Sequence, residues 1–185
     1  MIGFWIVVGV VVLVALATIA SYNRFVRQRN LVQESWRQID VELTRRHDLV
    51  PNLVETVKGY AAHERQTLEA VTAARAAAAS AGSGPTQQAA QENVLSGALR
   101  QLFAVAESYP DLKASTNFLD LQRQLAETED RIAAGRRFYN GNVRALNTRV
   151  EAFPSSLIAK SFGFKQAEYF TADDPEVRAT PTVSF

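Results

Sequence analysis

The sequence predicts an all-α protein, in which a single N-terminal transmembrane helix continues into an elongated antiparallel bundle of three long helices and a short fourth. Two observations support this fold class. A run of about 19 residues after Met1 carries no charge, which suits a helix in lipid. Beyond it, apolar residues recur at steps of three, four or seven without strand-like alternation, the spacing of one helix face.

Length and composition limit the function classes. The chain has 185 residues, enough for one domain or at most two small ones. Its 20 Lys and Arg nearly balance 19 Asp and Glu, so we expect no nucleic-acid partner. The absence of cysteine excludes disulfides, thiolate metal sites and a cysteine nucleophile, and there are two histidines. This composition favours a protein that is not an enzyme.

Residues 1–21 are predicted to be the membrane anchor. As a helix, the uncharged run from Ile2 to Ala20 would span about 28 Å, close to the thickness of a hydrocarbon core. Trp5 and Tyr22 lie near its two ends, where aromatic side chains favour the membrane interface. The alternative is a cleaved signal peptide, but the first four residues hold no basic side chain and the apolar run is long for one.

Three arginines predict the orientation. Arg24, Arg27 and Arg29 directly follow the span, whereas no basic side chain precedes it. The positive-inside rule therefore places the C-terminal domain in the cytoplasm and Met1 outside. These membrane-flanking arginines are also positioned to contact anionic headgroups of the bilayer.

The domain is predicted to cover residues 22–170. Its first helix would continue from the anchor to about residue 80 and bend near Pro51, a kink being favoured over an end and restart. A second helix is expected from about 86 to 108 and a third from about 115 to 152. Within the third, Gly135 and Gly141 would allow either close helix approach or a hinge.

A short fourth helix and a tail complete the prediction. Ser155 or Ser156 would cap a helix that passes through Leu157 and ends at Gly163. Residues 171–185 would be an extended or disordered tail. Within it, Val183 and Phe185 form an apolar-x-apolar C-terminus of the kind that PDZ-type grooves bind, although a frayed tail is favoured. Pairing of the tail with a neighbouring copy is the remaining alternative.

No catalytic, cofactor-binding or metal-binding residue is assigned. His63 and Glu64 open like the zinc-protease motif H-E-x-x-H, but Thr67 stands where the second histidine is needed. The competing hypothesis is a hydrolase or metal-dependent enzyme, which would require convergence of a set of acidic and histidine side chains: His63, Glu64, Glu127, Glu129 and Asp130.

Charged runs in the helices favour structural interpretations. The acidic run near Glu129 is predicted to be a salt-bridged solvated face or a polar layer that sets helix register. Residues 45–48 are likewise predicted to be a solvated patch, with His47 at the surface beside a carboxylate. Arg46 nevertheless stands in line with the apolar stripe of the first helix.

Several motifs resemble the LemA family of bacterial membrane proteins. They extend over nearly the whole chain after the anchor and comprise residues 23–30, 35–41, 45–54, 57–64, 106–114, 128–132, 137–140, 153–155 and 162–164. The resemblance implies an inner-membrane protein with one N-terminal span, an outside N-terminus and a cytoplasmic helical bundle. It supplies no catalytic residue.

The functional hypothesis combines these inferences. We expect a membrane-anchored scaffold or adaptor whose helix faces bind other membrane proteins or further copies of the chain. The resemblance links the family to envelope or membrane-protein quality control, sometimes alongside membrane proteases, and in one branch to magnetosome membranes.

Overall fold

The structure, a computed structural model, describes residues 1–82 and 84–171. These residues form helices and connecting turns, without a strand, which confirms the all-α prediction. The helices are α1 (Ile2–Lys58), α2 (Arg65–Ala79), α3 (Pro85–Ala106), α4 (Pro110–Lys113), α5 (Thr116–Glu151) and α6 (Ser155–Phe162). The predicted tail motif, Val183 and Phe185, lies outside the described residues.

The chain divides into two compact units. Among the described residues, the first combines 1–40 with 134–168, and the second combines 41–82 and 84–133 with 169–171. Both α1 and α5 contribute one part to each unit.

Helix α1 continues through Pro51 rather than ending and restarting there. A proline at this position cannot donate its backbone N–H to the carbonyl four residues earlier, which belongs to His47. Arg75 of α2 supplies a replacement, because its Nε donates to the His47 carbonyl oxygen at 3.1 Å. The long helix therefore tolerates an internal proline with the help of a side chain from its neighbour.

The predicted first long helix is two helices. Helix α1 ends at Lys58, and a turn through Gly59 and Ala61 leads to α2. The prediction of a single helix up to about residue 80 was therefore wrong. Val57 and Leu68, on either side of the turn, are buried in one core with α3 and the start of α5. The apolar spacing continues across the break because both helices face that core.

The later helices lie close to their predicted bounds. Helix α4 occupies the short link expected between the second and third long helices. Gly163 ends α6 with a φ of 72°, the left-handed conformation that glycine adopts readily. The capping prediction was wrong: Pro154 precedes α6, and the Ser155 hydroxyl instead donates to the carbonyls of Arg149 and Ala152 at the end of α5.

Helices α1 and α5 run antiparallel within each unit. In the first unit, Trp36 contacts Tyr139, with ring centroids 5.5 Å apart, while Phe25 faces the later residue Arg149. The Tyr139 hydroxyl donates to the Glu168 carbonyl at 2.8 Å, and burial, aided by the Glu168 charge, raises the pKa of Tyr139 to about 12. In the second unit, Glu42 and Arg46 of α1 pair with Arg131 and Glu129 of α5, at 3.6 and 3.1 Å respectively.

The two glycines of α5 serve different purposes. A Cβ on Gly135 would lie 3.0 Å from Ile39 Cγ1, which is the close approach of α1 that the sequence suggested. A Cβ on Gly141 would meet nothing within 4 Å. Close packing against Ile39 therefore explains why glycine occupies position 135. No neighbouring atom requires a glycine at position 141.

Substitution of these glycines is expected to have opposite effects. Gly135→Leu should lower the free energy of unfolding by about 1–3 kcal/mol, because the larger side chain must displace Ile39. Gly141→Ala should raise it by up to about 1 kcal/mol through better helix propensity. Denaturant titration followed by circular dichroism measures both, and a destabilising Gly141→Ala would contradict the assignment.

Candidate functional site

The apolar span, from Ile2 to Ala20, forms the start of α1 and lies in the first unit. Within the described residues, α1 is the one helix long and apolar enough to cross a membrane, and its most apolar window is wholly unburied. Large side chains such as Ile6, Val11 and Leu13 are each more than 60 % exposed. Exposure of this apolar surface to water is unfavourable in free energy, whereas contact with lipid acyl chains would remove it from water.

The three flanking arginines extend from α1 at the end of this span. Arg24, Arg27 and Arg29 are exposed, and none of them forms an ion pair with an acidic side chain within residues 1–82 and 84–171. Arg29 lies over the ring of Phe164, with its guanidinium carbon 5.8 Å from the ring centroid. The guanidinium groups are thus available to external anions.

An aromatic cluster joins this part of α1 to the segment after α5. Tyr22 contacts the rings of Phe162 and Phe164 at centroid distances of 5.0 and 5.6 Å. Phe25 is fully buried and stacks on Phe164 at 4.7 Å. On α5, Asn147 exchanges two hydrogen bonds with the backbone of Ala167, which secures the segment after α6. The pairing of these aromatic side chains depends on tertiary structure, because they come from segments far apart in the chain.

A groove of about 860 Å³ lies between the span and the turn from α5 to α6. Its wall on α1 runs from Val14 to Arg24, and its opposite wall is formed by the end of α5 and the start of α6. Leu157 and Ile158 make the α6 wall apolar, while Arg24 and Arg149 add positive charge. This combination was not visible from sequence periodicity.

A buried ion cluster occupies the second unit. Arg46 and His47 of α1 and Glu92 of α3 are at most 9 % exposed. Arg46 lies 3.5 Å from a Glu92 carboxylate oxygen, and His47 Nε2 lies 2.8 Å from the other. The predicted solvated patch is therefore wrong for Arg46 and His47. The signal for burial was the position of Arg46 in the apolar stripe.

Further contacts extend this cluster to α5. The Arg46 guanidinium donates to Ser96 Oγ at 2.6 Å and pairs with Glu129 of α5 at 3.1 Å. Gln88 donates to Glu92 at 2.9 Å. Arg46 thus contacts α3 and α5 from α1, which is the geometry of a polar layer that sets helix register.

The residues of the enzyme hypothesis occupy different environments. Glu129 belongs to the ion cluster, Glu127 pairs with Arg123, and His63 and Asp130 are exposed. Glu64 accepts a hydrogen bond from the Tyr109 hydroxyl at 3.0 Å, which raises the pKa of that hydroxyl. Across the described ranges, no three His, Asp or Glu side chains are grouped closely enough to hold a metal ion.

Comparison with known proteins identifies the family. A sequence model of the LemA family matches residues 35–185, most of the chain. The protein belongs to the LemA family. The LemA match begins within α1, after the apolar span and the flanking arginines. It includes the ion cluster, α5 and α6.

Individual relatives agree with this membership. Two magnetosome proteins of Paramagnetospirillum magneticum, MamQ 1 and MamQ 2, are each 29 % identical over 89 % of this chain and 69 % of their own length. Protein LemA of Metamycoplasma hominis is 27 % identical over 83 % of this chain and 70 % of its own length. Membership of the LemA family and similarity to the MamQ proteins, together with the exposed apolar helix, fit a membrane-associated protein.

Proposed function

We propose that this LemA-family protein is a non-catalytic adaptor of the bacterial inner membrane that acts in envelope or membrane-protein quality control. The observation that carries the proposal is the uninterrupted α1, which joins an exposed apolar span to the helical core without a linker. A domain held in this way would stay beside the bilayer, where its partners would be other membrane proteins.

The proposed orientation follows from charge. Arg24, Arg27 and Arg29 lie on the C-terminal side of the span and carry no acidic partner within the described chain. Transfer of three arginine side chains across a membrane costs more free energy than transfer of the short N-terminus, which has no charged side chain. The domain would therefore remain in the cytoplasm.

A surface groove in the second unit is our candidate for the partner contact. It has a volume of about 670 Å³ and lies between the end of α1 and α2, with Val54 and Leu68 in its lining. Ala73 and Ala76 line its α2 side. Their small side chains would let a partner helix approach closely. Lys58 and Glu69, which line the same groove, would form ion pairs or hydrogen bonds with polar side chains of that helix.

Photo-crosslinking in intact cells tests this proposal. A photoreactive residue at Thr72, which lines the groove, should yield adducts with membrane proteins that mass spectrometry identifies. The control carries the photoreactive residue in place of Asp130, which is exposed on the charged surface of α5, and should yield few adducts. Equal labelling at both positions, or protein that is strictly monomeric and captures no partner, would count against an adaptor.

A further inference from the structure

We propose that the turn from α5 to α6 is a second membrane-contacting element, which inserts into anionic lipid beside the N-terminal span. The occupant of its apolar surface is the bilayer itself. This inference deepens the proposed function and rests on the anchoring of the span. It assigns a lipid-binding role to residues 153–162, far from the anchor in sequence.

The exposure of this corner is the first observation. Phe153 is 82 % exposed, and Leu157 and Phe162 are 58 % and 54 % exposed. These three large side chains occur within ten residues, whereas Ala159, which lies on the side of α6 opposite Leu157, is buried. Large apolar side chains exposed together at one corner, with Lys160 beside them, are typical of a surface that contacts a membrane or a protein.

The position of the corner is the second observation. The groove described above places Ala152, Pro154 and Leu157 opposite α1 residues from Val14 onward. Val14 lies six residues before the end of the uncharged run, or about 9 Å inside it along the helix. Interfacial helices insert by about 5–10 Å, so a membrane around the span would reach the corner.

The contacts at the exit of the span hold the corner there. Tyr22 packs on Phe162, and the Ser155 hydroxyl ties the start of α6 to the end of α5. The same groove is lined by Val14 of the span and by Leu157 and Ile158 of α6, so the two apolar surfaces adjoin. Such adjacency favours the same lipid over a separate protein partner.

Charge specifies the kind of lipid. Arg24 and Arg149 line the groove, and Lys160 lies exposed on α6. Neither arginine forms an ion pair with an acidic side chain in the described parts of the chain. Val14 and Leu157 would contact the acyl chains of a lipid, while the guanidinium groups of Arg24 and Arg149 would bind the phosphate of its headgroup. Anionic phospholipid supplies both parts.

The lack of cysteine makes a direct test possible, because a single introduced cysteine can be labelled. Full-length Leu157→Cys carrying an environment-sensitive fluorophore is reconstituted in phosphatidylcholine nanodiscs with and without phosphatidylglycerol. We expect blue-shifted emission and strong quenching by spin-labelled lipid, with little quenching by iodide. Phosphatidylglycerol should increase the lipid quenching.

Two reference labels define the scale. A label at Leu13→Cys reports on the span itself and should show lipid quenching. A label at Phe138→Cys is the matched control, because Phe138 is 55 % exposed on α5 in the same unit and lies about 20 Å along the helix from its end at Glu151. It should be quenched by iodide and little by lipid.

A charge in the corner provides the second variant. Phe153→Asp, in the labelled Leu157→Cys protein, should reduce lipid quenching and increase iodide quenching, whereas Phe138→Asp should leave both unchanged. Since Phe153 is highly exposed, the substitution does not disturb packing.

Three results would overturn the inference. Iodide access at Leu157 alongside lipid quenching at Leu13 would leave the anchor intact and refute insertion of the corner. Protection of Leu157 from both quenchers would indicate a protein partner, such as a second copy. Loss of lipid quenching at Leu13 would refute the anchor, and insertion of the corner with it.

Discussion

Arginine at both Val10 and Leu13 is expected to remove the protein from the membrane. Both side chains are more than half exposed in the middle of the apolar span, where lipid would surround them. Each arginine near a bilayer centre costs about 2.5–3.5 kcal/mol, so the pair costs about 5–7 kcal/mol. Fractionation after carbonate extraction should find the double variant largely in the soluble or degraded pool, and the original protein in the pellet.

A matched pair of substitutions controls for surface charge. Val41→Arg and Val94→Arg also place arginine at exposed valines, which are 66 % and 57 % exposed, but outside the span. This variant should stay in the membrane pellet. If both double variants fractionate like the original protein, the span is not the anchor.

The same membranes test orientation. A cysteine at Gly3 should react with an impermeant maleimide in whole cells, whereas a cysteine at Arg45 should react only after permeabilisation. The reverse pattern would contradict a cytoplasmic domain.

Loss of Arg46 is expected to be the most damaging single change in the second unit. Arg46→Met leaves Glu92, which is 5 % exposed, without its guanidinium and also removes the contact with Glu129. Breaking a buried ion pair on one side costs about 3–5 kcal/mol. For a chain of this size, the midpoint of thermal unfolding should fall by about 10 °C, as measured by circular dichroism.

Arg45→Met is the neighbouring control. Arg45 is exposed, and its loss should change the free energy of unfolding by less than about 0.5 kcal/mol. Arg46→Met combined with Glu92→Met should recover part of the loss, because no unpaired carboxylate then remains between α1 and α3, while His47 loses its hydrogen bond to Glu92. Equal effects at Arg45 and Arg46 would show that the cluster contributes nothing specific.

Local sequence signals predicted much of the fold. The uncharged run predicted the apolar start of α1, and apolar spacing placed α3, α5 and α6 to within a few residues. Proline and glycine marked most helix ends, because Pro110, Pro154 and Gly163 limit the backbone wherever they occur. These features depend on residues close together in the chain, so one sequence contains them.

The break after Lys58 was not predictable in this way. Val57 and Leu68 keep a helical spacing because both face one core, although a turn separates their helices. Periodicity reports which residues are buried, but not whether one helix or two carry them. Arg75, which compensates for Pro51, is likewise distant in sequence from the carbonyl it binds.

The sequence by itself determined an apolar span with arginines at its end, followed by amphipathic helices, because charge and period are properties of neighbouring residues. Only the tertiary structure decided that Arg46, His47 and Glu92 are buried together and that Pro154 and Leu157 lie beside the span. The physical reason is that burial depends on what another helix brings within a few ångströms. A charged residue on an apolar stripe becomes a buried partner or a solvated one according to that neighbour.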